Sequence, residues 1–355
     1  SEFIYPEHGE TSLIFNLGDE LDFVCPGRTV LVEGVATEEV VRATCVSSTR
    51  FRTAVRNSGS IWSRITCSDD PIPSSRLTGR SCEAGGVDAE IGFSLRDDVC
   101  YDRVRQSPLY TYYNLTKSIG NNAKGTPRPL FSEDDGFYSL GTRTVNSLYV
   151  RGAQRATINT LIGLTTSDTK YIDGGSWYFL ARGHLTARAD FFYPAQQNGT
   201  FRYINAAPQW QTFNGLNWNM VEQSTRNYAD RNGLDLQVWT GIYGVTTLPH
   251  ESTGEDVDLY IYTVSAPFSL PVPALYWKVV YDPISRRGVA LIGLNNPYLD
   301  EVSRFILCRD VSETLTWVTW NKNDLREGYS YACTIPDLRD VIPYAPDLPV
   351  TGLLL

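Results

Sequence analysis

Between Ser176 and Asp230 the chain gathers one of its three histidines, several arginines, a cluster of amides and a carboxylate. That set suits chemistry on a phosphate. A histidine can take a proton from water near neutral pH, and hard oxygen donors can hold a divalent cation against phosphate oxygens. Guanidiniums then neutralise the charge that builds on phosphorus. The candidate base is His184 in Arg182-Gly183-His184, and the candidate oxygen and charge partners downstream are Asn205, Asn214, Glu222 and Arg226.

These side chains need elements to position them. Trp177 to Leu180 is aromatic and apolar enough for a strand, delivering Arg182-Gly183-His184 at its end, where Gly183 lets the backbone pass close to another group. Phe191 to Tyr193 and Phe201 to Ile204 read as a strand pair around a turn at Pro194 and Asn198-Gly199. From Asn214 the pattern is helical. Asn214, Trp218, Glu222 and Arg226 recur every fourth residue along one side, and Asn232-Gly233 is the expected stop.

The same residues carry a resemblance. ARGH at Ala181 to His184, INAAPQ at Ile204 to Gln209 and FNGLNWNMVE at Phe213 to Glu222 resemble, in order and spacing, the DNA/RNA non-specific endonucleases of the ββα-metal class. RGHLTARADF and INAAPQWQ are most similar to secreted arthropod digestive nucleases, including duplex-preferring kinds. The likeness continues through Tyr276-Trp277-Lys278-Val279-Val280 and Asn295-Asn296-Pro297.

The resemblance implies an α+β fold: a ββα-metal nuclease domain at 136–355, with a mixed sheet and flanking helices, after a β-rich, cysteine-containing N-terminal domain at 1–135. It implies His184 as general base and Asn214 as the one direct protein ligand of Mg²⁺, which Mn²⁺ could replace. Glu222 would hold a metal-bound water with Arg226 behind it, Arg182 would face the scissile phosphate, and Asn205 would position the site. Products would carry 5′-phosphates. Many relatives have Asp before the Arg-Gly-His triplet; Ala181 stands there instead, so Arg182 must be oriented by something else.

Across 355 residues the net charge is −9, which argues against broad electrostatic binding of nucleic acid. An acidic chain can still act on DNA or RNA if its arginines gather in one cleft. Arg188 and Arg202, with Arg151 and Arg155, are the candidate substrate contacts beside Arg182 and Arg226. Double-stranded DNA or RNA, held through its backbone, is the expected partner. No protein partner and no membrane are inferred, since no apolar run of about 18 residues exists.

None of the seven cysteines stands in a C-x-x-C pair, so disulfides are expected rather than a zinc cluster, with at least one thiol left over. Sequons at Asn114-Leu115-Thr116 and Asn198-Gly199-Thr200 also fit an extracellular protein, as would a chain without an initiating Met or an apolar leader.

Residues 1 to about 103 show short β-branched runs between Gly, Pro and Ser, an all-β pattern stapled by two disulfides. The junction is placed within 101–141. Glu133-Asp134-Asp135 reads as a solvated turn, and His8 and His250 as idle surface and loop residues. Thr144 to Leu164 reads as a helix. Leu234 to Val245, Asp256 to Val264, Ala274 to Tyr281 and Arg287 to Leu294 read as strands. Ser312 to Asn321 is a possible helix, Cys308 pairs with Cys333, and Ile342 to Pro349 lies on the surface.

Each motif residue also has an ordinary reading. His184 could be a satisfied strand-end histidine, Asn214 and Asn217 helix caps, and Glu222 with Arg226 a surface pair worth about 0.3 kcal/mol. Their joint occurrence in family order favours catalysis. The alternative is a secreted module on the same scaffold that binds glycans or proteins.

Overall fold

Strands Leu275–Asp282 and Arg287–Leu294 are buried along almost their whole length, unlike half-exposed strands, because side chains alternate between two covered faces. Tyr276 and Val280 join a core with Trp218 and Val221, whereas Leu275, Trp277, Val279 and Tyr281 join another with Ile335 and Leu338. The computed structural model describes every residue except 1–3, 11, 26, 48, 70–74, 83–85, 92–96 and 265–266.

These two strands lie in an eight-stranded sheet. Its order is Ser330–Cys333, Arg287–Leu294, Leu275–Asp282, Leu236–Tyr243, Ser107–Leu115, Asp97–Asp102, Val87–Ile91 and Ser75–Ser81. Every neighbouring pair is antiparallel. Parallel pairing is confined to isolated bridges, Ser132 with Arg202 and Arg287 with Gly352. With helices on its faces the fold is α+β.

The sheet runs across the boundary expected at 135. Ser107–Leu115 pairs with Leu236–Tyr243 from Tyr110 opposite Gly241 to Leu115 opposite Leu236, so strands from both sides of that boundary share one ladder. The unit with a core of its own is smaller. It holds a four-stranded sheet from Glu20–Val24 to Arg56–Ile61 and a three-stranded one of Val35–Ala36, Val30–Val32 and Ile65–Cys67, around Phe51, Val30 and Val32. The Cys25–Cys67 disulfide closes it.

Cys82 bonds Cys100, and Cys308 bonds Cys333 as expected, leaving Cys45 as a buried thiol. Asn114 is exposed, whereas Asn198 is half-buried with its Oδ1 enclosed.

Several other expectations change. Phe191 to Tyr193 and Phe201 to Ile204 do not form strands: a 3-10 turn at Arg188–Asp190, a helix at Pro194–Gly199 and a second 3-10 turn at Tyr203–Asn205 replace them. Proline at the first helical position favours the helix, since its missing N–H has no partner to lose there. The possible helix at Ser312 to Asn321 shrinks to a 3-10 turn at Ser312–Thr314. The expected helix at Thr144 to Leu164 is present as Val145–Leu148 and Arg151–Leu161, the first capped by the Thr144 side chain.

The C-terminal segment is no surface tail. Ile342, Ala345 and Leu354 are buried, and the Gly352 carbonyl accepts from Gly288 N at 3.1 Å. At the other end His8 bonds the Asp230 carbonyl near the end of the Asn217–Asn232 helix, so it is a cap rather than an idle residue. His250 does sit in a loop, where its Nδ1 meets Ser252.

A chain beginning at residue 136 would lose Ser107–Leu115 and the three strands outside it, baring the Leu236–Tyr243 edge and the apolar face under Tyr113 and Leu115. That fragment is expected to show no cooperative thermal transition by circular dichroism; a sharp transition would show that the sheet tolerates the cut.

Candidate active site

Arg182, Gly183 and His184 lie inside a strand, not beyond its end. Leu180–His184 pairs antiparallel with Ala206–Trp210, placing Arg182 opposite Pro208 and His184 opposite Ala206. Gly183 makes room for a side chain of the facing strand, because a Cβ there would stand 2.2 Å from Gln209 Oε1. Asn205 locks the pair at its open end. Its Oδ1 accepts from Thr186 N at 2.9 Å, and its Nδ2 donates to the carbonyls of Thr186 and Thr200 at 3.0 Å each. Those bonds commit its amide, in a buried position, to holding the strand pair and the loop at Thr200 together.

The His184 ring lies between Phe131 and Phe201, with centroids 5.0 and 5.1 Å away. Its Nε2 is enclosed and has no hydrogen-bond partner within the protein. Burial, aided by the charges of Arg128 and Arg188 and opposed by Asp190, pushes its pKa down to about 3. Such a shift favours the neutral ring throughout the physiological range.

The orientation that a preceding Asp would have given Arg182 comes from two neutral oxygens and an aromatic wall. Its Nε donates to the Tyr203 hydroxyl at 3.0 Å and another guanidinium nitrogen to Asn146 Oδ1 at 2.6 Å. The Tyr149 ring centroid is 5.0 Å away. No carboxylate cancels its charge at these contacts.

Asn214 does not share a helix with Glu222. It belongs to Gln211–Gly215, and Leu216, at φ −114° and ψ −101°, breaks the helix before Asn217–Asn232 begins. The four-residue spacing from Asn214 to Trp218 thus crosses a kink, and Asn214 is re-aimed relative to Glu222 and Arg226. The short helix packs against both strands of the pair. Asn217 pins the kink by bonding the Asn321 and Gly328 carbonyls at 2.9 Å and accepting from Asn321 N at 2.8 Å.

Beneath the longer helix lies a buried polar network. Asp190, 2% exposed, accepts from Arg226 at 2.6 Å and from the Tyr113 hydroxyl. Lys278, wholly enclosed, donates to Thr240 Oγ1 at 2.5 Å and to the Tyr113 hydroxyl at 3.4 Å. Burial and the charge of Asp190 raise the Glu222 carboxyl to about 7, with Arg226, Lys278 and Arg128 pulling it back. Burial works against the charge of Arg226, but Asp190 and Glu222 more than offset it and hold its pKa high.

The remaining arginines divide. Arg202 is committed to a buried pair with Asp134 at 2.9 Å, so Asp134 is a structural partner and not part of a solvated turn. Arg151 donates to the carbonyls of Gly174 and Ser176. Arg188 donates to the Thr126 carbonyl at 2.6 Å, yet stays close enough to His184 to act on it. Arg155 is half-buried on the Arg151–Leu161 helix.

The sequence reading missed Arg128, an exposed residue between two prolines whose charge is felt by both His184 and Glu222. Nothing in its local sequence marks it. Asp190 and Lys278 were also missed, although a charged residue amid the apolar run of Tyr276 to Tyr281 was a visible signal.

Among the described residues no group of three or more His, Cys, Asp or Glu side chains could hold a metal, which excludes a zinc-type cluster there. A single neutral oxygen with water around it is a different donor set, and Asn214 fits it. Its Nδ2 is spent on Gln211 Oε1 at 3.3 Å, which leaves Oδ1 to face a cation. Hard ions that keep several waters suit such a site, and a positive charge would relieve the crowded negative charge of Glu222 and Asp190.

Two strands and a kinked helix, which carry His184, Asn214, Glu222 and Arg226, are the elements of a ββα-metal fold. The chain belongs to the DNA/RNA non-specific endonuclease family, whose model matches residues 84–338, starting inside the eight-stranded sheet. It is 28% identical to a protein named salivary endonuclease from Lutzomyia longipalpis over 83% of this chain, and spans 65% of that protein's length. It is 27% identical to salivary protein Tsal1 of Glossina morsitans morsitans, over 82% of this chain and 73% of the relative. Among solved structures, the EndoG/EndoGI complex covers 56% of this chain at 21% identity and a TM-score of 0.38, too low to support a geometric comparison.

Two outcomes follow from this geometry. In the metal-free protein the His184 ring should remain neutral by NMR from pH 8 to pH 5; titration near 6.5 would place it in water. Because its folded pKa lies below the ordinary value of 6.5, its contribution to stability is whole above that value and is lost as pH falls toward about 3. Asp190→Ala should cost about 3 kcal/mol in urea unfolding, since it strands Arg226 in a buried setting.

Proposed function

We propose that this chain is a secreted, metal-dependent endonuclease that hydrolyses phosphodiester bonds of double-stranded DNA or RNA with little base specificity. The observation that carries this reading is His184: an imidazole whose Nε2 has no partner within the protein, set within reach of the positive charges of Arg128 and Arg188. Membership of the family supports the reaction class, the relatives named as salivary support secretion, and the three disulfides fit an oxidising compartment.

Asn214 would hold the divalent cation, Mg²⁺ with Mn²⁺ as a substitute, and Glu222 would accept from its water shell. When bound, such an ion supplies positive charge against the phosphate oxygens. Arg182, oriented without a carboxylate partner at its contacts, offers its charge to the scissile phosphate. His184 takes one proton from water; the water oxygen bonds phosphorus; the bond from phosphorus to the 3′-oxygen breaks, and that oxygen takes a proton from solvent. The phosphate stays on the 5′ end of the released strand.

Burial is the larger cause of the low His184 pKa, with Arg128 and Arg188 adding to it, and a phosphate bound beside these cations would cancel their share and raise its basicity by that much. Because these groups address the backbone and not base edges, base identity has little influence.

The test is cleavage of supercoiled plasmid and of double-stranded RNA with Mg²⁺ or with EDTA. Metal-dependent cleavage should fall by about two to four orders of magnitude in His184→Ala. Arg128→Ala should retain the fold and lose cleavage more strongly at low salt than at high salt. A folded wild-type protein that cleaves neither substrate with Mg²⁺ or Mn²⁺ would overturn the enzyme reading in favour of a binding module.

A further inference from the structure

An exposed indole stands beside the residue assigned to the cation. Trp177 is 52% exposed, and its ring edge lies so close to Gly215 that a Cβ there would be 2.8 Å away. Gly215 directly follows Asn214. The same Cβ would also stand 2.8 Å from Gln211 Nε2, in the amide that accepts from Asn214. Indole, Gln211 and Asn214 thus form one continuous patch.

The loop that carries this indole is braced. Asp173 Oδ1 accepts from the backbone of Gly175 and Ser176 at 2.9 and 2.7 Å, and Ser176 Oγ accepts from Tyr178 N at 3.0 Å. Arg151 draws in the Gly174 and Ser176 carbonyls at 3.0 and 3.2 Å while its guanidinium covers the Phe179 ring at 4.1 Å. The arginine expected to touch substrate instead buttresses the loop. A loop held this way keeps the indole from folding back onto the apolar core, where Trp210, Trp218 and Trp277 lie.

We propose that Trp177 is the stacking platform for the nucleobase next to the scissile phosphate. The proposal rests on the nuclease reading and deepens it. An indole face takes any base, since every base has a π-face, which agrees with low base specificity. The stacked nucleotide must leave its neighbours, so a duplex substrate opens locally at the cut, and a single strand presents the same base without that opening.

The test uses a single-stranded DNA oligonucleotide and a series in which one nucleotide at a time is abasic. Each is offered to the wild type, Trp177→Phe and Trp177→Ala, for binding in EDTA and for cleavage with Mg²⁺. Wild-type binding should weaken at least about fivefold when the base at one fixed offset from the cut is missing, and Trp177→Ala should weaken equally on the intact strand. Trp177→Ala should then be indifferent to the missing base, and Trp177→Phe should recover most of the loss. Cleavage by the wild type with no sensitivity to any abasic position, or additive losses in Trp177→Ala, would overturn the stacking role alone. Neither binding nor cleavage of the single strand by a wild type that still cuts supercoiled plasmid would overturn the stacking role alone, whereas a wild type that cuts neither the strand nor the plasmid would overturn the nuclease reading on which it stands.

Discussion

Asp190 acts on three groups of the candidate site at once, Arg226, Glu222 and His184. As the buried acceptor for Arg226 and Tyr113, it joins the motif helix to the strand Ser107–Leu115, and Tyr113 passes the connection to Lys278 two strands away in the same sheet. Its charge also raises the Glu222 carboxyl and partly counters the arginines around His184. A buried carboxylate survives only if paired and hydrogen-bonded, so this network ties site geometry to the packing of the sheet.

Above that network the site is mounted on unlike supports. The strand pair fixes His184 and Arg182 through Asn205 and the tight approach at Gly183, whereas the break at Leu216 aims Asn214 separately from Glu222. Asn295 fastens the pair to the rest of the chain, accepting from Trp210 N at 2.8 Å and donating to the Pro208 and Pro273 carbonyls. A net charge of −9 is compatible with phosphate chemistry because the local balance differs from the total. Arg202 and Arg151 are spent on structure, while Arg182, Arg188 and Arg128 keep positive charge around His184.

Much of this was legible in one dimension. The strands Leu236–Tyr243, Leu275–Asp282 and Arg287–Leu294 follow from runs of β-branched and aromatic residues, and the helix stop at Gly233 from its left-handed φ of 63°. Phe191 to Ile204 misled because aromatic residues suit strands in general. There they serve as anchors instead, with Phe191, Phe201 and Tyr203 filling cores from a helix and two turns.

The sequence by itself determined which chemical groups are present and in what order: a histidine, an amide, a carboxylate and guanidiniums in the pattern of a family. Only the tertiary structure decided which of them are available. Burial and hydrogen bonding are set by distant partners, as with Asp134 claiming Arg202 or Asn146 orienting Arg182, and no local pattern encodes them. The domain boundary was likewise a tertiary matter, because a β-ladder joins Ser107–Leu115 to Leu236–Tyr243 across more than a hundred residues of intervening chain. Sheet hydrogen bonds ignore sequence distance, and composition does not.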